Sequence, residues 1–218
     1  MPNETIFATM IYGNAKDDYY QTLADWGKMN PDTKLIIVTD SKNPVKDMGA
    51  KIKAFNIQCE VFDIRDSAVT LPGLTYVDWL MTHIRTKNNE LPHTFISDPL
   101  RWIALYALRK SEQYGQADKI FLAEADVKCQ QDNWLPNEKN SEDLALYGGD
   151  RAIIMHSKST KNNALEKYCL LYQTIYDAFL QNNLLEFEIA NKLPDLLKQY
   201  LDQNDTTKSF PTFLQNKD

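Results

Sequence analysis

The order of hydrophobic patterns in residues 1–64 constrains the fold more than any other feature of this chain. Short apolar segments with β-branched residues, typical of strands, alternate with longer segments whose apolar residues recur at helical spacing. The patterns predict strands at 5–13, 34–40 and 58–64, and helices at 17–29 and 45–56. A β-α-β-α-β order predicts a parallel sheet with right-handed crossover connections. We therefore expect an α/β protein.

The remainder of the chain continues this alternation less regularly. At 218 residues, we expect a single domain. Asp98 is a candidate N-cap and Pro99 suits a first helical position, so the fourth helix is predicted to begin there. The further predicted elements are helices at 75–86, 96–115, 163–181 and 184–203, a strand at 119–123, a polar loop at 132–143, and one or two strands within 144–157.

Composition narrows the possible partners and the compartment. A formal net charge of −6 and a pI near 5.1 disfavour generic nucleic-acid binding, because phosphate backbones attract Lys and Arg. The sequence contains no apolar run of about 20 residues and no signal-peptide pattern, so we expect no membrane span. Cys59, Cys129 and Cys169 are odd in number and widely spaced, which favours a reducing, cytoplasmic compartment over disulfides or a zinc site.

Two carboxylates, Glu124 and Asp126, follow the predicted strand at 119–123. Ligands of open α/β sheets bind beyond the carboxyl ends of the strands, where both residues are expected. Alternation along a strand would point the two side chains the same way. Like charges this close repel each other, and a divalent cation with oxygen preference would relieve the repulsion. Solvated strand ends with such a triplet are nevertheless common, so the triplet alone is a weak signal.

The predicted helix start at Asp98 adds a second candidate. A helix N-terminus attracts anions, and Arg101 in the first turn would add a planar fork that matches phosphate oxygens. The alternative is that Asp98 only caps the helix and pairs with Arg101. Asp40, at the end of the strand 34–40, either contacts a nucleotide or caps a loop.

Together these segments resemble a known family. FISDPLRWIALYAL (95–108) followed by ADKIFLAEADV (117–127) resembles the Ser-Asp-x-x-Arg helix and Asp-X-Asp strand of nucleotide-sugar glycosyltransferases with the GT-A fold. The most similar group contains initiating mannosyltransferases, capsular-polysaccharide sugar transferases and glucosylating toxins. FATMIYGN, KLIIVTD and AIIMHSKSTKNNALEKYCLLYQTIYDAF extend the resemblance over most of residues 5–182. It implies a Rossmann-like, mixed central sheet flanked by helices.

The chain departs from this family in four features. The Gly-Gly-x-Tyr-x-Asp-x-Asp run is replaced by a longer insert, Arg109–Lys119, and Glu124 stands for the first aspartate. The C-terminal metal ligand and the aromatic residue that closes over the donor have only candidate counterparts, His156 and Trp134. The departures put the metal geometry in question.

The resemblance implies a role for each candidate residue. Tyr12 would lie against the base, Asp98 and Arg101 would hold the donor sugar and diphosphate, and Arg101 and Asp126 would be the catalytic groups. Asp126, with Glu124 and the candidate His156, would bind Mn²⁺ or Mg²⁺, and Glu124 would alternatively contact the ribose. Residues 1–130 would form the nucleotide-sugar half and residues 131–218 the acceptor side.

The activity implied is transfer of a hexose or pentose from a UDP- or GDP-sugar, with retention of configuration. The acceptor stays open among a glycan, a protein, a lipid-linked sugar and a modified DNA base. Two alternatives also stay open. One is a nucleotidyltransferase, for which the acidic YGNAKDD (12–18) lacks the basic glycine-rich loop. The other is a non-catalytic binding or adaptor protein that keeps the fold.

Overall fold

The computed structural model describes residues 4–13, 15–86, 94–137, 144–147, 152–158 and 164–182. The described residues form six strands, six α-helices and one 3₁₀ turn at Ile64–Asp66. The strands are β1 (Thr5–Met10), β2 (Lys34–Thr39), β3 (Glu60–Asp63), β4 (Lys119–Ala123), β5 (Leu144–Tyr147) and β6 (Ile153–Ser157). The helices are α1 (Asp17–Met29), α2 (Met48–Ala54), α3 (Leu74–Thr86), α4 (Thr94–Lys110), α5 (Trp134–Asn137) and α6 (Ala164–Asn182). Within the described residues, no helix is long and apolar enough to cross a membrane.

One six-stranded sheet with the order β3-β2-β1-β4-β6-β5 organises the fold. The first four of these strands are parallel, with Ala8 of β1 opposite Ile36 of β2 and Leu122 of β4. Strand β6 runs antiparallel to both β4 and β5. The parallel β-α-β-α-β start predicted from the sequence is thus confirmed, and the segment 144–157 contains two strands. The predicted helix at 184–203 lies outside the described residues.

The chain divides into two compact units. The sheet unit consists of the described parts of Met1–Val69 and Ala107–Asn162, and the helical unit of the described parts of Thr70–Tyr106 and Asn163–Lys208. Strands β5 and β6, although they follow residue 130, belong to the same sheet as β1–β4.

Aromatic side chains fill one face of the sheet unit. The indole of Trp26 stacks on Phe7 with ring centroids 4.2 Å apart, and Trp134 contacts Trp26, Phe121 and Tyr147 at centroid distances of 5.9, 5.6 and 5.4 Å. Each large apolar side chain removed from water in this way contributes roughly 1.5–3 kcal/mol. Trp134 is therefore a core residue of α5, buried among rings. This position differs from that of an aromatic residue that closes over a donor, the role for which Trp134 was a candidate.

The helical unit is held by stacked aromatic pairs. Trp102 of α4 stacks on Tyr168 of α6 at 4.2 Å, and Tyr76 of α3 stacks on Tyr172 of α6 at 5.9 Å. Gly73 precedes α3 with a positive φ of 82°, and a Cβ there would lie 2.9 Å from the Cys169 carbonyl oxygen. Only glycine fits this close approach between the two helices.

Helix α4 begins one turn earlier than the sequence pattern predicts. It starts at Thr94, so Asp98 is not its N-cap, Pro99 lies inside the helix, and Arg101 lies in the second turn. The predicted start followed the preference of proline for the first helical position. Ile96 is buried, however, and extends the apolar face of Leu100 and Ile103 backwards by one turn. Burial of that face outweighs the single hydrogen bond that Pro99 cannot donate.

Candidate active site

The carboxyl ends of three neighbouring parallel strands place candidate residues at one edge of the sheet unit. Strands β1, β2 and β4 are in register, with Thr9 opposite both Ile37 and Ala123. Tyr12, Asp40 and Glu124 each follow the end of one of these strands within two residues. The structure therefore places Tyr12, Asp40 and Glu124 at one edge of the sheet.

The acidic pair lies on a turn rather than on a strand. Strand β4 ends at Ala123, the Glu124 N–H donates to the Ala152 carbonyl at 2.9 Å, and the Val127 N–H donates to the Glu124 carbonyl at 3.2 Å. Ala125 and Asp126 are thus the central residues of a β-turn. The alternation argument made from the sequence is wrong here, because the extended conformation that it requires stops before the pair.

The turn separates the environments of the two carboxylates. Glu124 is half-buried, whereas Asp126 is exposed and has no hydrogen bond or ion pair with any residue that the structure describes. Mg²⁺ and Mn²⁺ bind oxygen ligands and usually combine one or two carboxylates with waters and substrate phosphates. Glu124 and Asp126 are two side chains of this oxygen-ligand type. In the described ranges, no group of three or more His, Cys, Asp or Glu side chains could hold a metal.

His156, the third expected metal ligand, lies elsewhere. Its partner in the β4–β6 pairing is Ile120, near the start of β4, whereas Glu124 follows the end of that strand. Four residues of strand at about 3.3 Å each put these positions roughly 13 Å apart. The side chain is buried, and its Nδ1 accepts a hydrogen bond from Arg109 Nε at 3.1 Å. The structure does not bring His156 together with the acidic turn, and we remove it from the candidate ligands.

Asp40 is the most constrained carboxylate of the sheet edge. It is 0% exposed, and Arg65 forms a two-point ion pair with it, Nε to Oδ1 at 2.7 Å and Nη2 to Oδ2 at 3.0 Å. The Lys42 N–H donates to Oδ1 at 3.1 Å, and Asn43 Nδ2 donates to Oδ2 at 3.2 Å. The sequence left open whether Asp40 contacts a nucleotide or caps a loop. These four hydrogen bonds favour the structural role. The sequence analysis did not identify Arg65 as a partner of Asp40, because Arg65 follows β3 whereas Asp40 follows β2.

The hydrogen bonds of Asp40 extend to the loop that carries Tyr12. Asn43 donates its N–H to the Asp40 carbonyl at 2.8 Å, and its own carbonyl accepts the Gly13 N–H at 2.9 Å. Gly13 has a positive φ of 63°, a conformation that glycine adopts without strain. Tyr12 itself is half-buried. The loops after β1 and β2 are thereby joined, and Asp40 supports the backbone next to Tyr12.

Asp98 and Arg101 belong to the helical unit. Both lie on α4, and the Arg101 side chain is 5% exposed. A buried guanidinium normally requires acceptors or a charged partner. The anion-binding argument made from a helix N-terminus no longer applies to Arg101, because the helix begins seven residues before it.

Comparison with known proteins supports the fold. No protein-family model and no curated protein sequence matches the chain. The solved structure of PaToxG glycosyltransferase is similar over 92% of this chain and 68% of its own, with a TM-score of 0.54 and 13% sequence identity.

Two further structures score lower. A uridine-diphosphate complex of glucosyl-3-phosphoglycerate synthase from Mycobacterium tuberculosis matches 100% of this chain and 72% of its own, with a TM-score of 0.45 and 9% identity. The mannosyltransferase Ktr4p from S. cerevisiae matches 67% and 39%, with a TM-score of 0.37 and 8% identity. The PaToxG similarity, together with the mixed six-stranded sheet, confirms the predicted GT-A-like α/β fold. At this identity it concerns the fold alone.

Proposed function

We propose that this chain is a metal-dependent glycosyltransferase that uses a nucleotide-diphosphate sugar. The observation that carries the proposal is the acidic turn: an exposed carboxylate and a half-buried one directly after β4, in a sheet whose fold is shared with a glycosyltransferase. Among the candidate carboxylates of that edge, Asp40 is already occupied by Arg65, and Asp126 is accessible. A divalent cation that is also bound by the donor phosphates requires a carboxylate that is accessible from solvent.

Each residue of the site has a distinct task in this proposal. Asp126 and Glu124 would hold Mn²⁺ or Mg²⁺ together with the donor diphosphate, and Glu124 would alternatively bind the ribose. When bound, the ion supplies Lewis-acid stabilisation of the departing diphosphate. Tyr12 would contact the uracil or guanine ring. The family resemblance implies retention of configuration without a protein nucleophile, so the acceptor oxygen would attack the anomeric carbon from the face that the diphosphate leaves. Transfer would then depend on positioning and charge stabilisation.

We propose that Asp98 and Arg101 of α4 bind the donor sugar and diphosphate. The acceptor would be a glycan, a protein side chain, a lipid-linked sugar or a modified base. We place the activity in the cytoplasm, in line with three cysteines that form no disulfide. Burial raises the pKa of the Cys59 thiol to about 11, as expected of an unreactive packed thiol.

The experiment that tests the proposal is donor hydrolysis. The purified chain is incubated with UDP- and GDP-sugars, with Mn²⁺, with Mg²⁺ and with a chelator, and free nucleoside diphosphate is measured. Thermal stabilisation by each donor registers binding even without turnover. We expect metal-dependent release from at least one donor, and loss of that release in Asp126→Asn. The matched control is Asp132→Asn, which removes another exposed carboxylate from the following segment.

The outcomes separate the alternatives. Stabilisation by a donor without release would favour a binding or adaptor protein. Release of pyrophosphate from nucleoside triphosphates would favour a nucleotidyltransferase. Donor release that survives Asp126→Asn would remove the metal assignment.

A further inference from the structure

The carboxyl end of α1 is hydrogen-bonded to the segment that leaves the acidic turn. The indole Nε1–H of Trp26 donates to the Val127 carbonyl at 2.6 Å, across 101 residues of sequence. Val127 is the residue whose N–H closes the turn onto Glu124. The backbone N–H of Val127 therefore closes the turn, and its carbonyl accepts a hydrogen bond from α1.

Asn30 makes a second connection from the same helix end. It is 0% exposed, its Oδ1 accepts the Leu135 N–H at 3.0 Å, and its Nδ2 donates to the Trp26 carbonyl at 3.1 Å and contacts Cys129 Sγ at 3.5 Å. A buried side-chain amide with partners on both sides fixes the spacing between them, because losing either partner leaves a polar group unsatisfied.

A third connection uses backbone groups alone. The Asn133 N–H donates to the Met29 carbonyl at 2.7 Å, and Asn133 adopts a positive φ of 53°. Helix ends leave carbonyl groups without intrahelical partners, and here one of them is satisfied by the segment that follows the acidic turn. Residues 127–135 are thus attached to Trp26, Met29 and Asn30 at three points.

The orientation of the Trp26 N–H is fixed by ring packing. The indole is 2% exposed, stacked on Phe7 of β1 at 4.2 Å with an interplanar angle of 21°, and tilted against Trp134 at 5.9 Å. A buried side chain packed against rings of β1 and α5 has little freedom to move. The indole N–H therefore has a defined position relative to β1, and the Val127 carbonyl is hydrogen-bonded to it.

We infer that Trp26 is a positioning residue: its indole N–H anchors the Val127 carbonyl and so holds the Glu124–Val127 turn in the conformation that presents Asp126 to the metal and diphosphate. The inference rests on the proposed function. Neither Trp26 nor Asn30 contacts the acidic side chains in the hydrogen bonds described, so their effect would pass through the backbone of the turn.

The test is Trp26→Phe, which keeps an aromatic ring for Phe7 and removes the donor. Hydrogen–deuterium exchange of peptides covering 124–131 reports the turn directly, whether or not the enzyme turns over. We expect exchange there to rise about tenfold or more, and the apparent Mn²⁺ affinity in donor hydrolysis to weaken by about 10- to 100-fold, the range known for residues that orient metal ligands. The donor KM at saturating metal should change much less.

Tyr147→Phe is the matched control. Tyr147 belongs to the same aromatic core and donates a buried hydrogen bond to Met155 Sδ at 3.7 Å, on the strands β5 and β6. It should lower the unfolding temperature without changing exchange at 124–131 or metal affinity. Should Trp26→Phe fail to fold, benzothienylalanine at position 26 removes the N–H while keeping the bicyclic ring.

The failures are distinguishable. If Trp26→Phe exchanged faster at 124–131 but bound metal with unchanged affinity, the positioning role would be overturned. Unchanged exchange at 124–131 would overturn it as well. Both results would leave the proposed function intact. Equal effects in Tyr147→Phe would reduce Trp26 to a core residue. Absence of metal-dependent release in the wild type would overturn the proposed function, and the positioning role with it.

Discussion

Asp40 and Asp126 both follow a buried strand at the same edge of the sheet, yet the two carboxylates have opposite environments. Asp40 is fully buried and receives four hydrogen bonds, two of them from Arg65. Asp126 is exposed at the tip of a turn and has no partner among the described residues. The comparison teaches that an aspartate at a strand end is a structural element when its oxygens are occupied, and a candidate ligand when they are not.

Removal of Asp40 should have the largest effect on stability. Asp40→Ala would leave the Arg65 guanidinium, itself only 15% exposed, without its counter-charge, and the loop amides without their acceptor. Breaking a buried pair from one side typically costs about 3–5 kcal/mol. Urea unfolding followed by circular dichroism would measure the loss.

The double variant Asp40→Asn with Arg65→Met sharpens this prediction. Removing both charges should restore a substantial part of the stability lost by Asp40→Asn alone, because no uncompensated charge is left buried. Strict additivity of the two single changes would contradict the ion-pair account.

Asp126→Asn should have the opposite effect to the loss of Asp40: it should change activity and leave stability nearly unaltered. We expect the free energy of unfolding to change by less than about 0.5 kcal/mol, as is usual for exposed positions. Metal-dependent donor hydrolysis should fall by at least about a hundredfold, since a direct ligand should matter no less than a residue that orients one. A variant that loses stability while retaining hydrolysis would reverse the roles assigned to the two aspartates.

Arg109 offers a half-buried charge with neutral hydrogen-bond partners at the far end of β4. Its guanidinium donates to the carbonyls of Gly115, Ala117 and His156 and to the His156 ring. Burial lowers the pKa of Arg109 to about 10. Arg109→Lys cannot reproduce this planar set of donors, so carbonyls lose partners and we expect a loss of about 1–3 kcal/mol in urea unfolding. Unchanged stability would show that water molecules replace the hydrogen bonds that the guanidinium donates.

The Lys34–Glu60 pair is the exposed counterpart of Asp40–Arg65 and should have the smallest effect. Hydrogen bonds from Lys34 at 2.9 Å and from the Tyr114 hydroxyl at 2.7 Å lower the pKa of Glu60, which is 43% exposed. A carboxyl group whose pKa is lowered by folding stabilises the folded state at pH values above its ordinary pKa. That contribution is lost as the pH falls through the lowered pKa. Glu60→Gln should therefore cost less than about 1 kcal/mol at pH 7.

The pH dependence provides the check for Glu60. The difference between wild type and Glu60→Gln should shrink as the pH is lowered through 4.5, the ordinary value for glutamate, and below. A difference that is constant between pH 7 and pH 3 would show that packing, and not the charge, is responsible.

The sequence predicted those elements whose signals are local. The bounds of α1 and β4 match the predicted 17–29 and 119–123 residue for residue, because a helical apolar face and a short apolar run needed no distant partner. The start of α4 was predicted wrongly at Asp98, because a local proline preference competed with burial of Ile96, which only the fold reveals. Trp134 and His156 gave no local signal to distinguish a core residue from a site residue.

The sequence by itself determined the α/β class, the parallel start of the sheet and the position of Glu124 and Asp126 beyond a strand end, since hydrophobic period and strand order follow from neighbouring residues. The tertiary structure decided which carboxylate is occupied and which is exposed. Arg65 reaches Asp40 across 25 residues and Trp26 reaches Val127 across 101, and contacts at such separations arise only when distant segments pack together.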